Sequence, residues 1–229
     1  MKHLIFDCGG VLVYPRCGSW AIPFKMAEVL GPRTEDLHTP RYAQAHSQAA
    51  RWLDESRLVA DTQAERLLRL RYLQELDGLM NWRLSPEQLR LLADDFTDNI
   101  QRYGFFEDTG PWLRRWKQRF SLAILSDAMP SILVFLEQYG ILSLFDAAVI
   151  STHVGAIKPD RRMYRAALNA LGARPEDCLF VDDRAGNTEG AVALGRHAVQ
   201  MARDAFPPDA RWDGPVVRDF EELNRWIEA

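Results

Sequence analysis

Four short apolar runs in this 229-residue chain each give way to residues able to do chemistry. His3–Phe6 is followed by Asp7, and Leu122–Leu125 by Ser126-Asp127. Ala147–Ile150 leads to Ser151 and, a few residues on, to Lys158-Pro159-Asp160. Cys178–Val181 is followed by Asp182-Asp183. If these runs are adjacent parallel strands, carboxylates, a hydroxyl and an ammonium converge on one rim. Carboxylates held close together repel, and some must protonate unless a cation neutralises them. Mg²⁺ suits such a group, because it takes hard oxygen ligands, keeps several waters and uses one or two carboxylates plus a substrate phosphate. A carboxylate held against a metal-bound phosphate can attack phosphorus and form an acyl phosphate, with Lys158 offsetting the phosphoryl charge. Each piece alone has a plainer reading. Asp7 fits turn chemistry, Asp182-Asp183 a helix N-cap and Lys158-Pro159 a solvated turn. What points to a site is four strand ends, in order, carrying compatible groups.

The elements that must position these groups are legible in the pattern. His3–Phe6 reads as a short buried strand ended by Gly9-Gly10. From about 16 to 104 helical spacing dominates: a first helix near Ala21–Leu30, a second opened by Thr39-Pro40, a third by Thr62-x-x-Glu65, a fourth by Ser85-Pro86-Glu87-Gln88. The third carries Leu67, Leu70, Leu73 and Leu76 on one side, and Gly104 is the expected C-cap of the fourth. After 105 helices alternate with strands at Ser121–Leu125, Ala147–Ile150, Cys178–Val181 and His197–Met201. Alternation of this kind predicts an α/β fold, a Rossmann-like parallel sheet with helices on both faces and its site beyond the carboxyl ends of the strands. The expected division is a core of 1–14 and 105–229 with an inserted helical bundle at 15–104.

Composition narrows the class further. Apolar residues make up 47% and charged residues 26%, which supports a packed core rather than disorder. The 28 basic against 32 acidic residues give a net charge of −4 and no basic run, which argues against a nucleic-acid or anionic-membrane partner. Cys8, Cys17 and Cys178 form no metal or redox motif and read as reduced thiols. The apolar run at the N-terminus is broken by Asp7, too early for a signal peptide or a membrane span. A cytoplasmic protein acting on a small molecule is expected, with its oligomeric state open.

Taken in order, Phe6-Asp7-Cys8-Gly9-Gly10-Val11-Leu12, Leu125-Ser126-Asp127, Gly155-Ala156-Ile157-Lys158-Pro159-Asp160 and Val181-Asp182-Asp183 resemble the four motifs of the haloacid-dehalogenase-like hydrolase superfamily, over about 1–14 and 105–200. The D-x-G-G-V form of the first motif is similar to that of a subgroup that includes sugar-phosphate phosphatases, and the stretch between the first two motifs looks like the family's helical cap. The resemblance implies Asp7 as nucleophile, Asp7, the Gly9 carbonyl and Asp183 as Mg²⁺ ligands with Asp182 nearby, and Ser126 and Lys158 as phosphoryl-binding and catalytic groups. The implied substrate is a small phosphorylated metabolite. Two departures stand out. Gly9 replaces the aspartate that serves as acid and base in most phosphatases of the family, a proton transfer worth about 10²–10⁴-fold. Asp127 stands where the subgroup often has Asn, and its extra negative charge could either weaken phosphate binding or hydrogen-bond a substrate hydroxyl. A cap residue, a water chain or the substrate's own hydroxyl could supply the missing proton transfer, and His153, in the loop before Lys158, is the nearest candidate by sequence. A carbon–halide hydrolase and a catalytically weakened binding protein are the alternatives, the first opposed by the acidic pair and the second kept open by Gly9.

Overall fold

The structure, a computed structural model, describes residues 1–55, 58–204 and 211–229. In chain order its strands and α-helices are β1 (His3–Phe6), β2 (Val13–Pro15), α1 (Met26–Leu30), α2 (Pro40–Glu55), α3 (Thr62–Met80), α4 (Pro86–Thr97), β3 (Tyr103–Phe105), α5 (Thr109–Trp116), β4 (Ser121–Ser126) and α6 (Ser131–Gln138). There follow β5 (Ala147–Ile150), α7 (Ser151–Val154), α8 (Arg161–Leu171), β6 (Cys178–Asp182), α9 (Ala185–Val192), β7 (His197–Met201), β8 (Val216–Val217) and α10 (Phe220–Glu228). Two compact units result. One comprises Met1–Tyr14, Phe105–Ala128 and Ile132–Ala229, the other Pro15–Gly104 with Met129–Ser131. The architecture is a Rossmann-like α/β fold carrying an inserted helical bundle.

In the α/β unit a six-stranded sheet runs β5-β4-β1-β6-β7-β8, and every pairing is parallel. Successive side chains of a strand point to opposite faces, so buried strands need apolar residues on both. Ile5, Leu125 and Phe180 pack on one face with Met163, Tyr164 and Ala167 of α8. On the other, Phe6 stacks on Trp116 of α5 at 5.7 Å and meets Phe220 of α10 edge-on at 5.7 Å. This double covering explains the unbroken apolar runs of β1, β4 and β6. Register then fixes the rim. Phe6 pairs with both Ile124 and Val181, so the residues just past them, Asp7, Leu125 and Asp182, lie level.

The helical unit is closed by Ala49, Tyr72, Leu76, Leu92 and Phe96, which share one buried cluster. Its helix starts are set by side chains taking up free N–H groups. Thr39 Oγ1 accepts from Tyr42 N at 3.2 Å. Ser85 and Gln88 form the full capping box, at 3.2 and 2.9 Å. Four expectations are corrected. The cap of α3 is Asp61, whose carboxylate accepts from Ala64 N at 2.8 Å, and Glu65 is buried elsewhere instead of closing a box with Thr62. Gly104 lies within β3, because α4 already stops at Thr97 with Asp98 as its cap. Helix α1 is only Met26–Leu30, since Gly31 takes φ +55° and a 3₁₀ segment, Gly31–His38, carries the chain on from there. Leu67 leaves the apolar stripe of α3 and is 63% exposed.

Candidate active site

Asp7 leaves β1 at the carboxyl edge of the sheet, and its N–H bonds the Val181 carbonyl at 2.9 Å. The chain then turns back at once. The N–H groups of Leu12 and Val13 reach the Cys8 carbonyl at 2.8 and 3.0 Å, and Gly10 N reaches Val13 O at 2.9 Å. Gly10 holds φ +70°, and a Cβ there would fall 2.7 Å from Asp183 Oδ2. The turn therefore needs glycine for its backbone and for the room it leaves to a neighbouring acid. No described residue donates a hydrogen bond to the Gly9 carbonyl.

Lys158 arrives from the loop after α7 and is almost wholly buried. Its ammonium donates to Asp182 Oδ2 at 2.6 Å and to the Leu125 carbonyl at 3.0 Å. It also stands 3.0 Å from Asp7 Oδ1, an ion pair off the hydrogen-bond direction that leaves this buried oxygen without a donor. Burial works against the charged amine, but Asp182 and Asp7 outweigh it and hold Lys158 above the ordinary lysine range. Asp182 is saturated on both sides, since its Oδ1 accepts from Arg184 N and Asn187 Nδ2, each at 2.9 Å. Asp183 is half-buried, and its backbone carbonyl takes a 2.8 Å bond from Gln200 Nε2.

Oxygens of Asp7, Asp182 and Asp183 lie within 4.8 Å of one another. Burial pushes the Asp7 carboxyl up to about 6, against the pull of Lys158, and Ser126 lowers it by hydrogen bonding. Burial, then the charges of Asp7 and Asp182, push Asp183 up to about 7. Both shifts are mainly the cost of burying a carboxylate, with the neighbouring acids adding to it and Lys158 opposing it. The donor set fits a hard divalent cation: all-oxygen ligands, an unpartnered carboxylate oxygen on Asp7, a free Gly9 carbonyl, and two negative charges in excess of the lysine. Asp7 and Asp183 fit as ligands better than Asp182, whose oxygens already serve Lys158, Arg184 and Asn187.

The structure thus brings Asp7, Ser126, Lys158, Asp182 and Asp183 together. Asp127 stands beside them, its Oδ1 accepting from Lys158 N at 2.9 Å. His153, by contrast, is exposed on α7 and makes no hydrogen bond among the described residues. The segment holding it is a one-turn helix ended by Gly155 in the left-handed conformation, rather than a loop. Two positioning residues escaped the sequence reading, Asn187 and Gln200. Gln200 had a usable signal, a polar side chain inside the strand His197–Met201, and it is fully buried.

A phosphoserine phosphatase from Thermus thermophilus is 33% identical over 128 residues, 55% of this chain and 51% of its own. An enolase-phosphatase E1 from a Synechococcus species is 25% identical over 149 residues, 63% of this chain and 60% of its own. The chain thus spans between about half and three-fifths of the length of these curated relatives. The L-2-haloacid dehalogenase of Xanthobacter autotrophicus superposes with a TM-score of 0.72 at 20% identity over 100% of this chain and 99% of that one, a likeness of fold. The family model described as "haloacid dehalogenase-like hydrolase" matches residues 1–195, and the chain belongs to that family of hydrolytic enzymes.

Proposed function

We propose that this hydrolase cleaves the phosphate monoester of a small metabolite in two steps through an aspartyl phosphate on Asp7. The observation that carries the reading is the buried Lys158 ammonium held between Asp7 and Asp182, with Asp183 beside them and an excess of negative charge left over. A site for a divalent cation and a phosphoryl group needs this balance. A site for displacing halide from carbon does not call for the second and third acids. Asp7 Oδ attacks phosphorus and the ester oxygen leaves. Water then attacks phosphorus, releasing inorganic phosphate and restoring the carboxylate. Ser126 and Lys158 bind the phosphoryl oxygens, with Lys158 kept in place by Asp182 and the Leu125 carbonyl. Asp127 contacts the alcohol part of the substrate. Asp7, Asp183 and the Gly9 carbonyl would hold Mg²⁺, with Asp182 behind them, and the ion would supply charge stabilisation at the phosphoryl oxygens. The free thiols Cys8, Cys17 and Cys178 fit a reducing, cytoplasmic setting.

The first prediction concerns Asp7. Asp7→Asn should abolish Mg²⁺-dependent release of 4-nitrophenolate from 4-nitrophenyl phosphate, and turnover persisting in that variant would reject Asp7 as nucleophile. Carbon–halide hydrolysis is a second reading, supported by similarity to an (S)-2-haloacid dehalogenase 4A of Burkholderia cepacia, 26% identical over 140 residues, and opposed by the acidic pair. Chloride release from a 2-chloro acid in the presence of chelator would establish it in place of the first.

A further inference from the structure

Cleaving a phosphate ester whose alcohol is a poor leaving group requires a proton at the departing oxygen, and the second step requires a proton to be taken from water. The residue two positions after Asp7 is Gly9, which offers neither. Most other groups at the rim are committed. Lys158 is held charged by Asp182 and Asp7. Asp182 spends both oxygens on Lys158, Arg184 and Asn187. Asp7 is the nucleophile in the reading above, and Asp183 faces Gly10 within the acidic cluster.

Asp127 differs from all of these. It follows Ser126 directly at the end of β4 and is solvent-exposed, where Asp7 and Asp182 are buried. One oxygen is fixed, since Oδ1 accepts from Lys158 N at 2.9 Å. The next residue is pinned as well: Ser151 Oγ accepts from Ala128 N at 3.0 Å, and Thr152 Oγ1 donates to Ala128 O at 3.1 Å. The carboxyl is therefore held in one orientation while its Oδ2 receives no hydrogen bond from any described residue. An oriented carboxyl with one free oxygen and access to water is the arrangement that proton transfer needs.

We propose that Asp127 is the general acid and base of this enzyme, in place of the carboxyl that Gly9 lacks. The inference rests on the phosphatase reading above. In the first step the Asp7–phosphorus bond forms and the phosphorus–ester oxygen bond breaks; the electron pair stays on the leaving oxygen, which takes the Asp127 proton. In the second, Asp127 carboxylate takes a proton from water, the water oxygen bonds to phosphorus, and the phosphorus–Asp7 bond breaks. Ester and water become alcohol and phosphate, and Asp127 ends protonated as it began. The charges facing Asp127 are compatible with this cycle. Neighbouring protein partly desolvates the carboxyl, although the residue reaches solvent, and raises it above the ordinary range; Lys158 opposes this by charge and through its N–H, Asp182 adds to it and Arg184 reduces it. The charge of Asp127 in turn adds a little to the raised carboxyl of Asp7.

The test compares wild type and Asp127→Asn on 4-nitrophenyl phosphate, whose leaving group departs without a proton, and on phenyl phosphate, whose leaving group is more basic. Asn keeps an oxygen for Lys158 N–H but cannot carry the proton. The expected loss in kcat on phenyl phosphate is about 10²–10⁴-fold. On 4-nitrophenyl phosphate the variant should release one equivalent of nitrophenolate in a burst and then stall, with phosphate trapped on Asp7. Equal losses on both esters without a burst would overturn the proposal. So would a rise in KM at unchanged kcat, which would make Asp127 a binding group only. Absence of any phosphoenzyme in the wild type would instead defeat the Asp7 reading, and this one with it.

Discussion

At Gly10 two separate constraints fall on one residue. The backbone sits at φ +70°, which costs a residue with a side chain about 1–2 kcal/mol. Any Cβ would also press on Asp183 Oδ2. The second constraint is the one with functional content, because Asp183 is a proposed metal ligand and moving it changes the ion's site. Gly10→Ala should therefore raise the Mg²⁺ concentration for half-maximal activity several-fold while the protein still folds. Titrating activity with Mg²⁺ in the variant checks this, and an unchanged midpoint would mean that Asp183 yields without consequence. At Gly9 what matters is the carboxyl it does not provide.

Helix α3 shows how an element can be anchored by a residue whose pattern suggested another task. Glu65 is fully buried, accepting from Ser131 N at 2.8 Å and from Ser131 Oγ at 2.9 Å, with Arg69 one turn on at 3.6 Å. The Arg69 guanidinium lies 4.3 Å over the Phe96 ring of α4. The carboxylate thus ties the Met129–Ser131 segment into the helical unit to which it belongs. Glu65→Ala would leave a buried N–H and a hydroxyl without an acceptor and Arg69 without its partner. The expected cost is about 2–4 kcal/mol of unfolding free energy, measured by denaturant titration. A value near zero would show that water replaces the carboxylate. Asp61, the actual cap of α3, is a smaller contributor, at about 1 kcal/mol.

For the molecule as a whole, electrostatics at the rim couple stability to pH and to the cation. Asp7 and Asp183 titrate near 6 and 7 in the folded chain, against 3.8 for an ordinary aspartate. A raised carboxyl binds more protons folded than unfolded, so its contribution is fully present below about pH 4 and is lost as pH rises through the folded values. In chelator, Asp183→Asn should therefore gain thermal stability relative to wild type between about pH 5 and 8. Saturating Mg²⁺ should reverse the order at the upper end, because the ion stabilises the state that binds it. Melting curves across that range test both parts. A difference independent of pH would mean that the acids are not strained in the folded chain. The net charge of −4 does not attract an anion by itself, so in the proposed reaction the lysine and the cation would do so locally.

Much of this was determined by sequence alone. The apolar runs of β1, β4 and β6 are dictated by burial on both faces, and the polar residue that ends each is visible as a break in hydrophobicity. A local pattern also fixes local geometry, as in the Ser85–Gln88 capping box and the turn at Gly10. What the chain could not disclose by inspection is which acid does what. Asp7, Asp127, Asp182 and Asp183 are one residue type at three strand ends. Only the tertiary fold, by aiming Lys158, Arg184 and Asn187 at Asp182 and leaving oxygens of Asp7 and Asp127 without donors, separates a structural carboxylate from reactive ones. The same holds for Glu65 and Gln200, whose partners lie 66 and 17 residues away in sequence. Hydrogen bonding depends on distance and direction in space, and neither is written in the order of residues.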